Sequence, residues 1–385
     1  MSGPHQHAVA ADSIFDGSIV HRHSAVLIEG ERIAWIGARR ALPEHASVHE
    51  LPKGCWLAPG FIDVQVNGGG DVLFNDAPSQ AAITRIVGAH RRYGTTGLLP
   101  TLISDTPQKM RIALEAVQSL AQNRGVLGIH FEGPFLSPEK PGVHDPSKLR
   151  APSADDLALL ISPSTAMKLV TLAPEEVPKG FIADLVKSGV RVALGHSMAT
   201  YAQTKAAFAE GLTGFTHLFN AMRPLGARDP GPIAAALECC DAWFGMIVDG
   251  VHVDPAMLRL ALRGSAHPML ITDAMPPVGG SRRTFSLFGR DIQARDEACV
   301  AEDGVLAGTA LDMASAVRNC VRLLDVPLPS ALSYASLEPA AFLGIADRLG
   351  RIAPGYQADL VAFAPGNIDI LQTCLAGTWE EPEGS

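Results

Sequence analysis

The residues best suited to chemistry in this sequence are acids and histidines that stand where an apolar run ends. Glu132 closes the run in "GIHFEGPF", His196 the run in "VALGHS", and His217 the run in "GFTHLFN". Two imidazoles and a carboxylate make a His2Glu donor set, which suits zinc or iron and leaves a fourth position open to water. Each has an ordinary alternative when taken alone: Glu132 as a hydrogen-bonder to the following Gly-Pro, the histidines as structural residues. His130 shares a strand face with Glu132 by the period of two, but Glu132 lies nearer the strand end. Glu132 is therefore the expected ligand and His130 an interior histidine. Asp273 ends "LITDAMPP", where a carboxylate can take a proton from an activated water and later return it to a leaving nitrogen. Its alternative is to cap the turn before Pro276 and Pro277. In "PGFIDVQVNGG", Gln65 and Asn67 place two carboxamides at the spacing of a metal-binding His-x-His.

These residues must be positioned by the elements that carry them. Eight short runs rich in Val, Ile and Leu recur between residues 56 and 275: "WLAPGFIDVQVNG", "TGLLPTLIS", "VLGIHFEGPF", "MKLVTLAP", "VRVALGHS", "TGFTHLFNA", "WFGMIVDGVHV" and "PMLITDAM". Most are separated by stretches of helical spacing such as "ATYAQTKAAFAEGL". Eight strand-helix units predict an α/β fold, a (β/α)8 TIM barrel, with near-continuous apolar strands buried on both faces. A doubly wound open sheet is the alternative. The barrel is favoured because the strands turn polar at their C-terminal ends, where barrel active sites lie: Gln65, Asn67, Glu132, His196, His217, Asn220, Asp249, His252 and Asp273. The flanks alternate instead. "HSAVLIEGERIAWIG" and "GYQADLVAFAPGN" predict antiparallel strands, paired into one small β-sandwich domain from both ends of the chain. The expected division is 1–57 and 356–385 for that domain and 58–355 for the barrel, with a short-stranded excursion over 277–309.

Composition bounds the rest. The chain has 385 residues, 47% of them apolar, enough for a large core. A formal charge of -9 argues against a nucleic-acid or anionic-membrane surface, either of which would want a basic stripe. Neither a leader nor a spanning apolar run is read, so a cytoplasmic protein is expected. Six cysteines without C-x-x-C spacing fit reduced thiols and receive no role.

The stretches "PGFIDVQVNG", "HFEGPF", "GVHDP", "GHS", "THLFNAM", "RDPG", "DGVHVDP", "TDAMPP", "LAGTALDM" and "GRIAPGYQADLVAF" resemble, in order and over almost the full length, the N-acetylglucosamine-6-phosphate deacetylases of the amidohydrolase superfamily. The resemblance implies hydrolysis of the acetamide of N-acetylglucosamine 6-phosphate to glucosamine 6-phosphate and acetate, in a homodimer with its sites near the subunit interface. It implies one divalent metal per subunit, zinc or iron, on Glu132, His196 and His217, with Asp273 as general base and then acid. His144, otherwise an ordinary loop histidine, would help polarise the acetamide carbonyl. The phosphate would be held by His252, by backbone at Asn220 and Ala221, and by Arg228 reaching into the neighbouring site. Arg228 offers the planar fork that suits phosphate oxygens, against the alternative of a solvated loop arginine. Leu306, Ala307 and Gly308 would lie over the sugar through backbone groups. Gln65 and Asn67 match a single-metal variant of this family and mark a vestigial second metal site, since amide oxygens are weak ligands. Their expected work is hydrogen bonding to water or sugar. Two other readings stay open: a deacetylase of a related sugar such as N-acetylgalactosamine 6-phosphate, and a non-catalytic scaffold on the same fold. Presence of Glu132, His196, His217 and Asp273 together argues against the scaffold.

Overall fold

Branched apolar side chains fit a pleated, doubly covered surface, and each of the eight runs contributes a strand to one parallel sheet. The computed structural model describes residues 6–43, 46–120 and 125–380. In sheet order the strands are Phe61–Val66, Thr95–Ile103, Gly128–Glu132, Met167–Leu172, Arg191–Leu194, Gly214–Phe215, Trp243–Met246 and His267–Leu270, so every strand lies beside its neighbour in sequence. The ends meet beyond the last strand, where the Asp273 amide donates to Gln65 O at 3.0 Å and Val66 bridges Ala274 in parallel. A (β/α)8 barrel results. Helices such as Pro107–Gln118, Tyr201–Ala209 and Pro255–Ala261 follow the strands, each started by a capping side chain from Thr106, Thr200 or Asp254. No helix among the described residues is long and apolar enough to cross a membrane.

The barrel interior carries a polar layer. His130 is buried, with Nε2 at 2.7 Å from Thr171 Oγ1 and Nδ1 at 3.4 Å from Thr101 Oγ1. Thr171 Oγ1 lies 2.6 Å from Thr216 Oγ1, which continues the chain from the fourth strand to the end of the sixth. Burial chiefly, opposed by the Glu132 charge, lowers His130 to about 4, so the ring is neutral at pH 7.

The chain divides into two compact units, one of Met1–Asp63, His90–Gly97 and Asp312–Ser385, the other of Val64–Ala89 and Leu98–Leu311. The first holds a mixed sheet built from both ends of the chain, with Trp56–Pro59 between strands Gln6–Phe15 and Leu360–Ala364. Its core joins Val9, Ile14, Val26 and Leu57 to Ile352, Leu360 and Cys374. One apolar run, "WLAPGFIDVQV", thus serves two sheets, breaking at Gly60. The first unit also takes in helices Met313–Leu324, Leu328–Ala335 and Leu337–Leu343, which the sequence assigns to the barrel domain. In the second unit the 277–309 excursion is a four-stranded antiparallel sheet whose Leu287, Ile292, Cys299 and Ala307 pack with Leu73, Ile103 and Met275.

Glycine at 133 is required by geometry. It follows Glu132 at φ +84°, and a Cβ there would stand 2.3 Å from Ser104 Oγ. A left-handed backbone costs an L-residue roughly 1–2 kcal/mol, and the clash adds to it. Gly133→Ala is expected to lower stability by about 1–3 kcal/mol in urea denaturation. An unchanged midpoint would show that the turn behind Glu132 yields without strain.

Candidate active site

Three of the strand ends leave the barrel on strained backbone: His196, His217 and Asp273 have φ of +48°, +33° and +53°. Such residues cost free energy and persist only where surroundings hold them. The turn after His196 is held by the Glu175 carboxylate, which accepts from Ser197 Oγ at 2.7 Å and from the Met198 amide. Leaving the extended conformation here swings both imidazoles inward over Glu132.

The resulting group is tight and buried. Glu132 Oε1 lies 3.0 Å from His217 Nε2 and 3.2 Å from His196 Nε2, and the two nitrogens are 3.2 Å apart. His196 Nδ1 donates to Lys140 O at 2.8 Å, so its Nε2 presents a lone pair to the group. His217 Nδ1 has no partner among the described residues, and its Nε2 donates to Glu132 Oε1. Burial alone would raise Glu132, but the two imidazoles beside it outweigh burial and hold the carboxyl well below its usual range. Burial alone would lower His217, but the Glu132 hydrogen bond and charge win and raise it. One proton therefore sits among three acceptors. A divalent cation suits that position: zinc bonds of about 2.0–2.1 Å in a tetrahedron give ligand separations of roughly 3.3–3.4 Å, close to the observed spacing. Among the described residues this is the one group of three or more such side chains able to hold a metal.

The NH2 groups of Gln65 and Asn67 are turned to the two carboxylates of the site. Gln65 Nε2 donates to Glu132 Oε2 at 3.1 Å and to Asp273 Oδ1 at 3.0 Å, and Asn67 Nδ2 donates to the same Oδ1 at 2.7 Å. The amides thus tie one ligand to the candidate base. Asp273 Oδ2 has no partner among the described residues and is left for a proton. Burial first, then the Glu132 charge, push Asp273 up to about 6.

His144 faces the group from the 134–145 loop, its ring 4.5 Å from that of His196. Its Nδ1 accepts from the Ser104 amide at 3.3 Å and lies 2.8 Å from Ser104 Oγ. A backbone N–H cannot accept, so Nδ1 carries no proton and the neutral ring bears it on Nε2. Burial, then His196, lower His144 to about 3, which keeps the ring neutral. Sequence reasoning missed Ser104; its only trace was a serine closing "TLIS".

A cleft of about 460 Å³ opens over these residues, lined also by Lys140, Asn220, Ala221 and His252, with Leu306 and Gly308 from the excursion. The other expected contacts divide. The Ala307 side chain points into the excursion's core, as alternation along Leu306–Thr309 requires, which leaves only its backbone for the expected sugar contact. The Asn220 amide is committed to His217 O at 3.0 Å. Arg228 is exposed on the loop after Met222 and does not line the cleft.

A parallel barrel with a buried Glu-His-His group and a carboxylate beside it, all at the strand ends, defines a metal-dependent barrel hydrolase. The sequence matches the Amidohydrolase family model over residues 56–382. The chain belongs to the amidohydrolase family, and it is a hydrolase. It is 41% identical over 317 residues to the N-acetylgalactosamine-6-phosphate deacetylase of Shewanella sp. (strain ANA-3), covering 81% of this chain and 80% of the relative. With the N-acetylglucosamine-6-phosphate deacetylase of Haemophilus influenzae it shares 33% over 368 residues, 94% of this chain and 96% of that one. The crystal structure of N-acetylglucosamine-6-phosphate deacetylase from Pasteurella multocida superposes with a TM-score of 0.94 at 33% identity, covering 98% of this chain and all of the other.

Because the Glu132 hydrogen bond and charge favour a protonated His217, and a cation would displace the proton on its Nε2, metal uptake should release up to about one proton per chain at neutral pH. Calorimetry in buffers of different ionisation enthalpy measures this. About one tight equivalent is expected, with affinity falling as pH drops and His217 becomes more fully protonated. Two tight equivalents would mean that Gln65 and Asn67 act as ligands.

Proposed function

We propose that the protein hydrolyses the acetamide of N-acetylglucosamine 6-phosphate to glucosamine 6-phosphate and acetate. The observation that carries this reading is the pairing across one cleft of a carboxylate with a free oxygen and an imidazole with a fixed Nε2 proton. Names and coverage of the relatives supply the substrate class. Glu132, His196 and His217 hold one divalent metal, zinc or iron, which when bound polarises the carbonyl and acidifies water. His144 donates its Nε2 proton as a hydrogen bond to the acetamide oxygen, where negative charge develops. Asp273, turned by Gln65 and Asn67, accepts the water's proton at Oδ2 and passes it to the departing nitrogen. His252, Asn220 and the Ala221 amide meet the phosphate, with Arg228 supplied by the second subunit of a homodimer. That Lys140 is the one lysine or arginine among the lining residues supports a need for outside charge. Leu306 and Gly308 cover the sugar, and the protein works in the cytoplasm. The N-acetylgalactosamine 6-phosphate reading has its own support, since the Shewanella relative at 41% identity is named for it.

Asp273→Asn should keep the metal and lose about 10² to 10⁴ in kcat. In the wild type, activity falls as pH drops and Asp273 takes up a proton. That limb should lie at or below about pH 6, since a cation near Glu132 pulls the pKa down. Retention of a tenth of wild-type kcat with metal bound would place the base elsewhere.

Acetate release from both phosphorylated epimers and from unphosphorylated N-acetylglucosamine, for wild type and Arg228→Ala, tests substrate and subunit readings together. The glucosamine epimer is expected to lead, and Arg228→Ala to raise KM for phosphorylated sugar alone. Preference for the galactosamine epimer would select the second reading; equal losses on all sugars would remove Arg228 from phosphate binding.

A further inference from the structure

His252 is gripped from behind. It lines the cleft, and its Nδ1 lies 2.6 Å from Asp249 Oδ2. Both side chains are buried, that of His252 5% exposed and that of Asp249 0%. The other carboxylate oxygen, Oδ1, accepts from the amides of Val251 at 2.8 Å and His252 at 2.9 Å. Two amides on one oxygen fix the carboxylate's orientation, and an ionised carboxylate only accepts, so Nδ1 must donate. Nε2 is then the ring atom left for a ligand. Burial alone would raise Asp249, yet the His252 hydrogen bond and the two amides outweigh it and keep the carboxyl below its usual range.

We infer that Asp249 is a positioning residue for phosphate recognition: it holds the proton on His252 Nδ1 and supplies the counter-charge that lets Nε2 meet the substrate phosphate as an imidazolium donor. This rests on the reading of His252 as a phosphate contact. A charge-assisted bond to a dianion is roughly twice as strong as a neutral one, which gives the acidic partner its value. The structure also indicates what an amide at 249 would do. Its oxygen would stay with the two backbone N–H groups, its NH2 would face Nδ1, and the ring proton would move to Nε2. A neutral donor would replace a charged one.

The test compares metal-loaded Asp249→Asn and His252→Asn on phosphorylated and unphosphorylated N-acetylglucosamine, beside ¹⁵N spectra of the wild-type imidazoles. His252 is assigned among the 13 histidines by its loss in His252→Asn. Asp249→Asn should raise KM for the phosphorylated sugar about tenfold, with kcat within about threefold and the unphosphorylated sugar within about twofold. In the wild type, Nδ1 of His252 should be protonated, and addition of inorganic phosphate should protonate Nε2 as well. If His252→Asn raises KM but Asp249→Asn does not, the role of Asp249 is overturned while the phosphate contact stands. If neither variant alters KM, the contact itself fails. Equal losses on both sugars would reduce Asp249 to a structural residue. Should the asparagine variant not fold, the wild-type spectrum decides: a lone-pair Nδ1 on His252 overturns the inference.

Discussion

Three acceptor atoms brought within 3.0–3.2 Å of one another in a buried site cannot stand without positive charge between them. That constraint on Glu132, His196 and His217 organises the rest of the strand-end chemistry. A divalent ion held there would meet it by satisfying all three atoms at once. The strained turns at His196 and His217 follow from the same demand, because extended strands would send these side chains along the barrel wall. Glu175, Ser197 and the Lys140 carbonyl hold the His196 turn in place.

The two carboxylates at the site are driven apart in their protonation. Glu132 is surrounded by donors and stays ionised, whereas Asp273 feels burial and the Glu132 charge and is raised to about 6. Such a division assigns different duties to chemically similar groups. Gln65 stands between them and donates to both, which keeps two acids close without mutual contact. Carboxamides suit this better than a pair of imidazoles, because an NH2 group offers two donors in fixed directions.

Hydrogen-bond direction decides which atom of each histidine is available for chemistry. A main-chain donor at Ser104 makes His144 present a proton, and a main-chain acceptor at Lys140 makes His196 present a lone pair. The same residue type thus plays opposite parts 4.5 Å apart, between ring centres. Neither backbone group belongs to a motif.

Much of this protein was legible in its sequence. Periodicity marked all eight barrel strands, because strands buried on both faces must be apolar along their length, and the polar strand ends named the metal group that the fold assembles. The order of motifs identified the family. What the sequence left unsettled lies in long-range geometry: that Gln65 bonds Asp273 across 208 positions, that Ser104 sets the tautomer of His144 across 40, and that Ala307 turns away from the cleft. Residue type and spacing determine which element forms and which face is apolar, since those are local preferences summed along the chain. Distances, proton positions and charge states arise only when remote backbone groups close around a side chain, and the tertiary structure alone decides them.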